Sequence, residues 1–132
     1  MRVGPGGRGL TAAGRKGKHR VALTVTDGER RGWTVLRIEG DMDLVSSPAV
    51  RQRVHAAVAK GERRVVLDLT GVTFCDSSGI GVLIASRRLM RSCNGGLRLV
   101  MSTEGTHVNR VFTALGVRSL FDVYPELDSA AS

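Results

Sequence analysis

Between about residues 20 and 126, short apolar runs alternate with stretches in which apolar residues recur every three or four positions. Val21-Ala22-Leu23-Thr24-Val25-Thr26 alternates weakly and predicts a first strand. Asp27-Gly28 and the charges after it predict a turn, and Trp33-Thr34-Val35-Leu36-Arg37-Ile38 predicts a second strand closed by Glu39-Gly40. The short gap between the two strands predicts an antiparallel hairpin. Val50, Val54, Ala57 and Val58 then fall on one helical stripe, with Ser46 or Ser47 placed to cap it, Pro48 in its first turn and Gly61 as its stop. Arg51, Arg53, His55 and Lys60 lie off that stripe, so His55 reads as a solvated face residue rather than a ligand.

The second half repeats the alternation. Arg64 to Thr70 is a β-branched apolar run interrupted by Asp68 and predicts a buried strand, with a turn at Gly71. The next helix is apolar nearly all round from Ile80 to Ala85. Val82, Ala85, Leu89 and Cys93 make a stripe able to lie on a sheet, and Asn94-Gly95-Gly96 ends the helix. Leu97 to Met101 predicts another strand. Val108, Val111, Phe112 and Leu115 predict a third helix stopped by Gly116, and Leu120 to Tyr124 a short last strand or turn before Pro125. The order β-β-α-β-α-β-α-β implies an α/β fold, a mixed but mostly parallel sheet of about four to five strands with helices packed on it. One domain over residues 20–126 follows, with tails at 1–19 and 127–132.

Charge changes the picture of the first tail. The chain of 132 residues carries a formal +8, which resembles a nucleic-acid signal. Six of those charges, Arg2, Arg8, Arg15, Lys16, Lys18 and Arg20, stand in the first twenty residues without an acid, leaving only +2 for the rest. The basic character therefore belongs to a Gly-rich tail expected to be disordered. No specific nucleic-acid role is assigned to the body, although a weak electrostatic contact of the tail with nucleic acid or a partner stays open. Gly4 to Gly9 matches a bare G-x-G-x-x-G, but no strand precedes it. Gly9 to Lys16 imitates a phosphate loop with Arg15 in place of the lysine. Two cysteines, Cys75 and Cys93, are too few for a disulfide scaffold and form no zinc pattern, so neither metal nor cofactor is expected. No apolar run approaches the roughly 20 residues that span a bilayer, and no signal-peptide core is present, which points to a cytoplasmic protein without membrane contact.

Chemistry concentrates at the junction Cys75-Asp76-Ser77-Ser78-Gly79-Ile80. In open α/β sheets, functional sites lie where parallel strands end and helices begin. Ser77 or Ser78 can cap the helix there, and a phosphate on such a serine would meet oriented N–H groups and the positive end of the helix dipole. Ile80 and Ile84 lie on the Ser77 face of the helix and offer an apolar patch, although Ile84 also suits burial on the sheet. Cys75 reads as a buried small hydrophobe.

Leu67-Asp68-Leu69-Thr70-Gly71-Val72 followed by Asp76-Ser77-Ser78-Gly79-Ile80-Gly81-Val82 resembles the signature segment of the STAS domain family, in its anti-sigma factor antagonist branch. Gly40-Asp41-Met42-Asp43 is similar to that branch's Gly-Glu-Leu-Asp loop, and Val108 to Phe121 to its ending. The resemblance covers about residues 21 to 126. It implies a protein that is not an enzyme. Such a protein binds an anti-sigma factor that is also a serine kinase, frees the sigma factor, is phosphorylated on the serine after the aspartate, and is restored by a phosphatase. Carried onto this chain, Ser77 is the phosphoacceptor, Ser78 its capping neighbour, Asp76 orients the hydroxyl, and Asp43 contacts the kinase. The partner surface takes in Asp43, Asp76, Ser78, Gly79 and Ile80. Two rivals remain: a STAS scaffold or ligand-sensing subunit of a larger signalling assembly, and a small serine hydrolase. For the hydrolase, the junction is one residue short of G-x-S-x-G, and only His107 follows as a base, with Asp122 and Asp128 after it.

Overall fold

The computed structural model describes residues 21–102 and 105–132, so the basic tail expected at residues 1–19 lies outside the described residues. Strands β1 (Thr24–Arg30) and β2 (Trp33–Met42) form the antiparallel hairpin. Its reversal falls on Arg31 and Gly32, both at positive φ (53° and 85°), the two-residue primed turn whose twist suits a hairpin. Asp27 and Gly28, expected as the turn, are instead paired with Leu36 and Val35 inside the ladder. An Arg-Gly reversal lacks the Asn-Gly or Asp-Gly signature of this turn, so the pattern points too early.

The chain continues through α1 (Pro48–Ala59), β3 (Arg64–Cys75), α2 (Ser77–Ser92), β4 (Gly96–Val100), α3 (His107–Leu115), a 3₁₀ turn at Arg118–Leu120, β5 (Asp122–Tyr124) and α4 (Leu127–Ala130). The sheet order is β1-β2-β3-β4-β5, antiparallel between β1 and β2 and parallel elsewhere. This is the mixed, mostly parallel α/β sheet that the alternation of elements implies.

Side chains alternate across each strand and so divide the interior in two. Leu36, Ile38, Val65, Leu67, Leu69 and Leu99 meet Val50, Val54 and Ala57 of α1, Ile80, Leu83 and Met90 of α2, and Val108 and Phe112 of α3. Trp33, Val35, Val66 and Val100 form a second, smaller cluster with Ala130 and Ala131. Three helices therefore cover one face of the sheet and α4 part of the other. The buried residues of α2 are Gly79, Ile80, Leu83, Ser86 and Met90, whereas Val82, Ala85, Leu89 and Cys93 are only half-buried. Because α2 packs on α1 as well as on the sheet, its buried stripe is rotated from the expected one, and an almost wholly apolar start hides that rotation.

Strand β3 does not turn at Gly71. It runs on to Cys75 by way of two register shifts against β2, between Arg37 and Glu39 and between Gly40 and Asp41, each adding one residue on β3. The buried residues Leu67, Leu69, Val72 and Cys75 are accordingly spaced by two and then by three and three. The bulges return both Val72 and Cys75 to the helix-covered face and deliver the chain to the start of α2.

The last residues are part of the domain rather than a tail. Ala130 and Ala131 are buried, and Asp128 pairs with Arg30. Arg98 of β4 lies over the rings of Trp33 (4.2 Å) and Tyr124 (5.3 Å) and donates to the carbonyls of Ala130 (2.8 Å) and Ser132 (3.1 Å). One guanidinium thus joins the C-terminus to the second face of the sheet. Replacing it removes a cation–π contact and the charged donor for two carbonyls. Arg98→Ala is expected to lower unfolding free energy by about 1–2 kcal/mol in chemical denaturation, and Arg98→Lys to recover little of it, because an ammonium neither stacks nor forks.

Candidate functional site

The junction of β3 and α2 is built around Asp76. Its backbone is extended (φ −107°, ψ −170°), and its Oδ1 accepts from the N–H of Ser78 (2.9 Å) and of Gly79 (3.2 Å). Asp76, rather than Ser77 or Ser78, is the N-cap of α2, which satisfies two of the free donors at the helix start. Its own N–H donates to Met42 O at 3.2 Å, tying the junction to the end of β2. Gly79 makes this approach possible: a Cβ there would stand 2.7 Å from Cys75 Sγ and 3.0 Å from Met42 O.

Ser77, the first residue of α2, is exposed, and its hydroxyl makes no hydrogen bond among the described residues. The expected orientation of that hydroxyl by Asp76 is not formed, since the carboxylate is engaged with the backbone of the helix. Ser78 is half-exposed on the same turn. Ile80, expected at a partner-facing patch, is 3% exposed and belongs to the core, while Ile84 is half-buried. Gly79 is also buried beneath the first turn.

The loop after β2 supplies the other half of the site. Asp43 is 7% exposed, and its Oδ1 accepts from Val45 N (3.1 Å) and Ser46 N (3.0 Å). Ser46 Oγ accepts from Asp43 N (3.1 Å) and lies 2.6 Å from Asp41 O and 2.9 Å from Asp43 Oδ1, so its single proton serves one of them. Asp43 therefore shapes the loop instead of presenting its carboxylate, and Ser46 belongs to that network rather than to a cap. Ser47 stands at the N-cap position of α1 without a side-chain cap bond. The loop presents Leu44 and Val45 instead, each 74% exposed. Sequence pattern missed this pair, although two consecutive apolar residues inside an acidic loop, off any periodic stripe, were the available signal.

Two neighbours complete the surroundings. His107, at the start of α3, has Nε2 3.1 Å from Cys75 O and its ring stacked on Phe74, with centroids 5.1 Å apart. Donation to a carbonyl places the ring proton on Nε2, so this nitrogen is not a base for Ser77. Cys75 is 1% exposed, and burial, then the charge of Asp76, pushes its thiol up from 9.0 to about 12. At neutral pH it is an inert thiol of the core.

The STAS domain family matches residues 22–130 of the chain. The chain belongs to the STAS domain family. BtrV of Bordetella bronchiseptica is 31% identical over 101 residues, covering 76% of this chain and 85% of BtrV. The anti-sigma-F factor antagonist RsfB of Mycobacterium tuberculosis is 28% identical over 110 residues, covering 83% of this chain and 87% of RsfB. Among solved structures, an anti-sigma factor antagonist from Mycobacterium paratuberculosis superposes with a TM-score of 0.74 at 29% identity, over 83% of this chain and 91% of its own. The match to residue 130 takes α4 into the STAS domain, in keeping with its buried alanines. No helix of this STAS domain, among the described residues, is long and apolar enough to cross a membrane.

The geometry around Asp76 and the two thiols leads to three expected outcomes. Asp76→Ala is expected to lower unfolding free energy by about 1 kcal/mol, with Asp76→Asn close to the parent, because an amide oxygen still accepts from the first turn. Iodoacetamide at about pH 8 is expected to alkylate half-buried Cys93 in the native protein and to reach Cys75 only on unfolding, as read by peptide mass spectrometry. The raised thiol pKa also makes stability fall as pH climbs from 9.0 towards about 12, where the unfolded chain loses a proton that the folded one keeps.

Proposed function

We propose that this STAS domain is a cytoplasmic anti-sigma factor antagonist that is switched off by phosphorylation of Ser77. The observation that carries the reading is an exposed hydroxyl without hydrogen-bond partners among the described residues, held rigidly at the first position of a capped helix. RsfB, one of the named relatives, is an anti-sigma-F factor antagonist, which supports the same assignment. The partner is an anti-sigma factor with serine kinase activity, and a phosphatase restores the hydroxyl.

The charge arithmetic of the site favours a switch. A phosphate adds roughly −1.5 to −2 at pH 7. On the exposed Ser77 of the free protein it is hydrated and lies at the positive end of the α2 dipole, so the fold tolerates it. In a docked complex the same group would be desolvated beside the Asp76 carboxylate, and like-charge repulsion would release the partner. The attractive part of the docking surface is assigned to Leu44 and Val45, which follow Met42 in the loop bonded to the junction. Burying two such side chains is worth about 1.5–3 kcal/mol each at full burial. Asp43, Gly79 and Ile80 hold this surface in place from beneath, while Ser77 and Ser78 lie on it.

The test pairs binding with modification. Incubation with candidate kinase anti-sigma factors and ATP, followed by phosphopeptide mapping, is expected to find phosphate on Ser77. Binding without phosphorylation at that residue sinks the switch. In calorimetry Ser77→Ala is expected to bind the kinase like the parent and Ser77→Asp at least tenfold more weakly. Leu44→Ser combined with Val45→Ser is expected to weaken binding by roughly tenfold or more without lowering the thermal midpoint, since both side chains are solvated in the free protein.

A further inference from the structure

The end of β3 has a strand on one side only. β4 pairs with β3 from Arg64 to Asp68. From Leu69 to Cys75 the strand therefore has β2 along one edge and, among the described residues, no strand along the other. Both register shifts against β2 also fall in this region, between Asp68 and Phe74. A ladder that is bulged and one-sided holds a strand poorly, yet this strand carries the residue that precedes Ser77 into the junction. On the β2 side the N–H of Asp76 donates to Met42 O at 3.2 Å. In a trans peptide the N–H and C=O point in opposite directions, so the same peptide turns Cys75 O toward the bare edge.

His107 meets that oxygen. Its Nε2–H donates to Cys75 O at 3.1 Å, and its half-buried ring is stacked on Phe74, with centroids 5.1 Å and planes 13° apart. His107 is the first residue of α3, whose start is capped by the Thr106 side chain accepting from Asn109 N–H at 3.2 Å. The helix start sets where the ring stands, and the stack sets which way its donor points. The Cys75–Asp76 peptide is thereby gripped at both ends, by β2 through its N–H and by α3 through its C=O. Rotation of this peptide would break both bonds. It would also carry away the Asp76 backbone, the cap on Ser78 and Gly79, and with them the place of Ser77. For a reacting group, a displacement of about 1 Å costs on the order of 10²-fold in rate.

We propose that His107 is a positioning residue of the switch: by holding Cys75 O it fixes the Ser77 hydroxyl where a kinase takes it up. The inference deepens, and rests on, the reading of Ser77 as the phosphoacceptor. It makes α3 part of the switch through one hydrogen bond.

The test compares the full chain with two variants. His107→Phe keeps an aromatic ring for Phe74 and removes the donor, whereas His107→Gln keeps an N–H donor without the ring. The first measurement is amide hydrogen exchange by NMR and needs no kinase. The Asp76 amide is expected to exchange about five- to tenfold faster in the Phe variant and within about twofold of the parent in the Gln variant. The amide of Leu67, in the middle of β3, is expected to exchange alike in all three. An unchanged Asp76 amide in the Phe variant overturns the grip, and an equal acceleration at Leu67 assigns the loss to overall stability and overturns it too. The second measurement is single-turnover phosphorylation of Ser77 by excess anti-sigma factor kinase with ATP. The rate is expected to fall about tenfold in the Phe variant, with a dissociation constant within about twofold of the parent, and to recover in the Gln variant. Equal rates in the parent and the Phe variant overturn the positioning role. A slow rate that Gln does not restore assigns the effect to the ring and overturns the role of the hydrogen bond. A parent that takes no phosphate on Ser77 overturns the reading of that serine and the positioning role with it, and exchange at Asp76 separates that failure from a failure of the grip.

Discussion

The close approach of α2 to the ends of β2 and β3 is the constraint on which the site depends. Gly79 lets the first helical turn lie against Met42 and Cys75, at distances where any Cβ would collide with backbone and sulfur. Within that contact Asp76 can donate its N–H to Met42 while its carboxylate closes the start of the helix. Two bulges in β3 bring the strand to this point with Cys75 turned inward. Ser77 is left as the first exposed residue beyond a junction whose every other member is engaged. A hydroxyl presented in this way is fixed in position without being protected.

The same arrangement separates support from contact. Asp43 and Asp76 use their carboxylates on backbone amides of the loop and the helix, and Ile80 and Gly79 are buried. What faces solvent is a serine on one side and an apolar Leu44–Val45 turn on the other. A partner held by apolar contact and expelled by charge needs little more. In the proposed switch, because the acids beneath are committed to the fold, a phosphate on Ser77 acts mainly on the interface and leaves the fold intact.

The far side of the sheet has a different logic. There the apolar area is small, and Arg98 supplements it by stacking on Trp33 and Tyr124 while holding the last carbonyls of the chain. This explains why the final residues, polar and short in apolar content, nevertheless belong to the domain. Their ordering comes from two long-range cations, Arg98 and Arg30, and two buried alanines, none of which has a local signature.

By itself the sequence determined the order of elements as far as β5, the parallel character of the sheet and the junction that carries Ser77, because each rests on local periodicity, chain stops such as Gly61 and Gly116, and a contiguous motif. The face that α1 buries was legible for the same reason: Val50, Val54 and Ala57 recur at helical spacing against a polar background. Only the tertiary structure decided which atoms cap α2, which face of that apolar helix is buried, where β3 ends and where the hairpin reverses. Serine and aspartate compete for the same free amides, and the choice fell to Asp76 because the backbone of β2 fixes its amide from outside the segment. A helix whose first turns are apolar nearly all round has no preferred side there until α1 is in place. A bulge is defined only by the partner strand that lacks it, and the exposure of Leu44 and Val45 follows from a loop shaped by Asp43, a residue whose role depends on amides it meets only after folding.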